Sequence, residues 1–234
     1  METTNKKSTA FLTLAAAAII FTILPSMPFG YYVQWPFEML TTYVHELGHG
    51  LGAIAMGGNF IELKLFVTGG GVAISSGVPD GVGRAVTAAS GLLAPSIVGS
   101  LFILAGRSKL TASTILIGFS GLMLLSCALW IRSVFGLTLV GGLGLVFLIF
   151  GMRSSQGVHQ FLIQFFAVHM LVDTLTGTMS YLFTESFERD GQLRHSDTAN
   201  IAANLGGTYW AWGIVIALIS ISIFYFSFRR AYLK

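Results

Sequence analysis

The segment His45-Glu46-Leu47-Gly48-His49 constrains this chain more than any other, because it lies in an apolar run and not in a polar helix. On a helix, two imidazoles four residues apart share one face, where both can reach a single zinc ion. The glutamate between them can serve as general base toward a metal-bound water. The helical reading continues through Leu51-Gly52-Ala53-Ile54-Ala55-Met56 to Gly57-Gly58, which puts the motif midway along an expected membrane helix. Ionisable groups are expensive inside hydrocarbon and are functional by default there. The expectation is a metal-assisted hydrolytic site within a membrane.

Composition agrees. Of 234 residues, 54% are hydrophobic and 10% charged, against about 25% charged in a soluble domain. Mean hydropathy is +0.76. The thirteen basic residues fall mostly at span ends and short loops, and none form a cluster interleaved with aromatics. Nucleic acid is therefore excluded as a partner, while the lipid bilayer is implied. The single cysteine, Cys127, permits no internal disulfide and reads as a small packed residue.

The fold class expected is an all-α polytopic membrane protein, one integral membrane domain over 1–234. It is a bundle of six to seven transmembrane helices with a small β-hairpin after the two-histidine helix. Apolar stretches run at about 10–29, 37–58, 83–105, 110–131, 133–151, 158–183 and 208–228. The first reads as a retained span and not as a signal peptide, since no clear small-residue cleavage site follows it. If the division near Arg132 is no true crossing, six spans remain. The counts of Lys and Arg on the two sides are nearly equal and leave orientation open.

Residues 60–75 partly alternate and carry Gly69-Gly70-Gly71, the pattern of a hairpin. An open strand pair cannot face lipid. It belongs at the interface or along a cavity, either as an ordinary surface hairpin or as an edge that aligns an extended peptide. Gly48 and Gly52 have the spacing that admits a close neighbouring helix. The one long polar connection, 184–207, reads as a solvated loop that carries a short helix from Ser196 to Leu205, capped by Ser196 or Asp197. Tyr31, Tyr32, Trp35, Tyr209, Trp210 and Trp212 sit near span ends, as interfacial anchors do.

Catalytic zinc takes three protein ligands and leaves a position for water. With His45 and His49 as two, Asp173 is the first candidate for the third. It lies within an apolar span, where an unpaired aspartate costs about 2.5–3.5 kcal/mol on insertion scales. His169, one turn earlier on the same face, is an alternative ligand, a partner orienting Asp173, or an acid. Asp197, His195 and His159 complete the candidates, the first two reading more simply as solvated loop residues.

The stretch Val44–Gly58, with His-Glu-Leu-Gly-His, small residues and Gly-Gly, resembles the first motif of the site-2 protease type of intramembrane zinc metallopeptidase. The order of two-histidine helix, hairpin and later aspartate-bearing span is similar over roughly residues 37–183. Gly91 and Pro95 resemble that family's Gly-Pro element. The resemblance implies zinc on His45, His49 and Asp173, water activation by Glu46, and substrates that are transmembrane segments of membrane proteins or peptides. The chain departs from the family in having Thr174 after Asp173, where glycine is usual, and in lacking a PDZ insertion. The expected place is a membrane, the cell membrane by default. Two other functions fit the same residues: a zinc-holding membrane protein that captures transmembrane partners without cutting them, and a metal or proton transporter lined by His45, His49, His169 and Asp173.

Overall fold

The computed structural model describes residues 18–107, 109–189 and 192–233. Of the first apolar stretch, residues 10–17 lie outside these. The remainder is helical to residue 23 and passes through a 3-10 turn, Leu24–Ser26, into α1, Gly30–Ala55. There follow β1 (Asn59–Phe66), β2 (Gly70–Ser76), α2 (Val82–Ala105), α3 (Lys109–Leu129), α4 (Val134–Arg153) and α5 (Gln156–Leu182). A second hairpin, β3 (Ser186–Arg189) and β4 (Gln192–His195), precedes α6 (Asp197–Leu205) and α7 (Tyr209–Phe228).

Among the described residues, five helices are long and apolar enough to cross a membrane: α2, α3, α4, α5 and α7. That is fewer than the six to seven expected, and the difference is instructive at α1. This helix is 26 residues long, yet Gln34, Glu38, Thr41, Thr42, His45, Glu46 and His49 dilute its apolarity. Its middle is buried in protein. Met39, Leu40, Thr41, Tyr43, Val44, Glu46 and Leu47 are all buried, and α1 packs on α2, α5 and both strands of the first hairpin. By contrast α4 and α7 leave large apolar side chains exposed, such as Leu145, Ile149, Leu218 and Phe226, as lipid-facing helices do. The chain is an integral membrane protein.

Close approach of α1 and α2 depends on missing side chains. A Cβ on Gly48 would lie 2.6 Å from Ala94 Cβ and from the Ser90 carbonyl, and one on Gly52 would strike the Ser90 side chain. On its other side α1 is tied to α3 by the buried Tyr43 hydroxyl, 2.8 Å from Ser126 Oγ. Ser126 spends its own proton on the Leu122 carbonyl, so Tyr43 is the donor.

Gly57, at φ 84°, ends α1, and the Gly58 amide donates back to the Ala53 carbonyl. The chain thereby turns at once into β1, which pairs antiparallel with β2 from Asn59↔Ser76 to Phe66↔Gly70. The outer edge of β1 is occupied: Leu63 N donates to the Trp130 carbonyl and Arg132 N to the Leu63 carbonyl. The linker near Arg132 is thus pinned between two separate helices, α3 and α4. β2 is left as the edge strand of its sheet.

In the stretch 184–207 the expected short helix is present as α6, its N-cap Ser196 accepting from Ala199 N, and a hairpin precedes it where a loop was expected; α6 packs on α2 and α7. The helix stops at Gly206 and Gly207, φ 83° and 86°.

The α1–α2 contact makes a prediction. Gly48→Ala should destabilise the protein by about 1–3 kcal/mol through overpacking, whereas Gly142→Ala, with nothing within 4 Å of the added carbon, should not. Unfolding by denaturant in detergent micelles measures both.

Candidate metal centre

His45 and His49 project from one face of α1, as their spacing requires, and their Nε2 atoms lie 3.0 Å apart. Asp197, the first residue of α6, brings its Oδ2 to 3.2 Å from each. The ring of His49 is fixed from behind: Nδ1 is 2.9 Å from the Thr87 carbonyl on α2. A carbonyl can only accept, so Nδ1 carries a proton, and Nε2 is the nitrogen turned toward His45 and Asp197. Gly91 makes room for that ring, since a Cβ there would lie 2.2 Å from His49 Cε1.

Three potential ligand atoms, two imidazole nitrogens and a carboxylate oxygen, therefore converge on one point. A proton can bridge only one pair of them at a time, and Asp197 Oδ2, buried, receives no well-formed hydrogen bond. A cation at their centre satisfies all three. A tetrahedral ion with bonds of about 2.0–2.1 Å holds its ligand atoms about 3.3 Å from one another, close to the spacing found. Two imidazole nitrogens and a carboxylate are also a donor set of catalytic zinc. Burial by itself would raise the Asp197 carboxyl, but the neighbouring His49 and His45 imidazoles hold it well below the usual carboxylate range, so it is an anionic carboxylate.

Glu46 is nearly buried beside the two histidines, its side chain laid against the backbone of β2. A Cβ on Gly71 would lie 2.4 Å from Glu46 Cγ and 2.9 Å from Oε1. Glu46 and the three converging residues line a cleft of about 470 Å³. Its lining includes Gly71, Val72, Ala73, Ser75 and Ser76 of the edge strand β2, and Tyr181, Phe187 and Arg194.

The other expected ligands lie elsewhere. Asp173, on α5, is within electrostatic reach of His45 and Glu38 but does not join the set of mutually close ligand atoms. Among the described residues, the carboxylate that joins His45 and His49 within ligand distance is that of Asp197. The physical reason is that the polar stretch folds back over the site as α6, so the carboxylate arrives from a helix end outside the spans. His169 is buried in an aromatic nest, edge-on to Phe21 and tilted against Phe37, with Nδ1 3.4 Å from Thr41 Oγ1. His159 donates from Nε2 to the Phe150 carbonyl. His195 lines the cleft without joining the triad. A sequence signal for Asp197 existed in the Ser196-Asp197 helix start, which marks a fixed and not a solvated carboxylate.

A protein-family model described as Peptidase M50B-like matches residues 13–227. The chain belongs to that family. No curated protein and no solved structure matches it. The resemblance to site-2 proteases is thus a family relationship, and at family level this is a site-2 protease-like membrane metallopeptidase. The family's metal is zinc, and the donor set of His45, His49 and Asp197 fits it.

Purified Asp197→Ala should lose its zinc, while Asp173→Ala and His169→Ala should keep it. Metal content per protein, by mass spectrometry after exhaustive desalting, distinguishes the three.

Proposed function

We propose that this protein is an intramembrane zinc protease that hydrolyses peptide bonds in or near transmembrane segments of other membrane proteins. The observation that carries the reading is the convergence of His45, His49 and Asp197 on one point, with Glu46 beside them in a cleft walled by a strand edge. His45, His49 and Asp197 would hold the zinc, which would supply Lewis acidity toward a peptide carbonyl and water.

The remaining work falls to the chain itself. Glu46, clamped between the histidine face of α1 and the backbone at Gly71, takes a proton from the attacking water on its carboxylate and returns it to the leaving amine. The Thr87 carbonyl holds His49 in the tautomer that leaves Nε2 free for the metal. β2, an edge strand along the cleft, offers backbone groups to an extended substrate and aligns it past Glu46. A helical substrate hides its carbonyls in its own hydrogen bonds, so the favoured substrate is a membrane segment with an extended or easily frayed stretch. This ties the cutting site to the hairpin side of the bundle and not to its lipid-facing α4 and α7.

Glu46→Gln preserves shape but removes the base. It should retain zinc while cleavage of a responsive membrane substrate falls by about 10²–10⁴-fold, read by gel assay in reconstituted bilayers. Cleavage at the wild-type rate would refute the assignment.

A further inference from the structure

The carboxylate that closes the metal site is the first residue of a nine-residue helix, and two fully buried hydroxyls flank it. Ser196 and Thr198 are both 0% exposed. Thr198 Oγ1 donates to the carbonyl of Leu182, the last residue of α5, at 3.1 Å. Ser196 Oγ lies 3.0 Å from Thr198 Oγ1 and accepts from Ala199 N at 3.2 Å. The directions follow from counting protons. Thr198 has one and gives it to Leu182, so Ser196 must donate to Thr198. The chain runs one way: Ala199 N–H to Ser196 Oγ, Ser196 O–H to Thr198 Oγ1, Thr198 O–H to the Leu182 carbonyl.

Both ends of this relay are groups that helix geometry leaves unpaired. Ala199 N belongs to the first turn of α6, and the Leu182 carbonyl to the last turn of α5. A second contact closes the base of the intervening hairpin, with Ser196 N donating to the Glu185 carbonyl at 3.0 Å. Leu182 is approached from a third helix as well: a Cβ on Gly213 of α7 would lie 2.6 Å from its carbonyl oxygen. Three helix segments meet at this carbonyl, and Asp197 sits between the two hydroxyls that join them.

We propose that Thr198 and Ser196 are positioning residues for the metal. Their hydroxyl relay locks the start of α6 onto the end of α5 and so holds the Asp197 carboxylate against His45 and His49. The relay sets metal affinity through Asp197 alone and touches neither the metal nor the substrate. The inference rests on Asp197 being a ligand, as read above. Second-sphere partners of this kind typically change metal affinity by about 10–100-fold.

The test is zinc affinity of the full-length protein in lipid nanodiscs, by competition with a chromophoric chelator. Thr198→Val keeps the shape but cannot donate, and should weaken zinc binding about 10–100-fold. Thr198→Ser, which restores the donor, should return affinity to within about threefold of wild type. In an Asp197→Ala background, where His45 and His49 alone bind zinc too weakly to survive desalting but measurably against a weak chelator, Thr198→Val should cost nothing further, because its only route to the metal is gone. The proposal is overturned if Thr198→Val binds zinc as tightly as wild type, if serine rescues no better than valine, or if the valine cost persists without Asp197. Undiminished zinc affinity in Asp197→Ala alone would instead overturn the ligand assignment, which keeps the two failures distinct.

Discussion

Three acceptor atoms within 3.2 Å of one another are the arrangement on which the rest of this structure depends. His45, His49 and Asp197 present one atom each to a common point, and each is held in place by a neighbouring element. The Thr87 carbonyl fixes one ring from α2. Gly91 vacates the space that ring needs, and the Ser196 cap starts α6 at the carboxylate. The close contact of α1 with α2, made possible by Gly48 and Gly52, brings the first two of these to the histidines.

The site also explains the architecture around it. A helix carrying two histidines and two glutamates is a poor lipid-facing span, so it is enclosed by α2, α5 and a hairpin while more apolar helices take the outer surface. The hairpin in turn cannot stand open in lipid. One edge is capped by the linker at Trp130–Arg132, and the other lies along the cleft beside Glu46. Polar backbone occurs where protein or a cavity receives it.

Much of this was legible in the residues. The His-Glu-Leu-Gly-His spacing places both imidazoles on one helical face, Gly57-Gly58 stops that helix, and the alternation after Asn59 makes the hairpin. Those are local rules, and local rules survive folding. The carboxylate nearest the two histidines was not legible in the same way, because burial cost favours an aspartate in an apolar span over one in a polar stretch. Asp197 escapes that cost: it enters the site from a helix end that folds back over the bundle, a tertiary event that sequence-local energetics cannot rank. Asp173 keeps its apolar surroundings and sits near His45 and Glu38 without completing the triad. Among the described residues five helices are long and apolar enough to span, α1 being set apart by the polar side chains of the site it carries.

Zinc K-edge X-ray absorption on the protein purified in lipid reports the atoms around the metal directly. The account predicts bound zinc with two imidazole nitrogens and oxygen ligands at about 2.0–2.1 Å, the imidazole scattering being unmistakable in the extended fine structure. Protein that is folded yet holds no zinc, or zinc whose shell lacks imidazole, would contradict it.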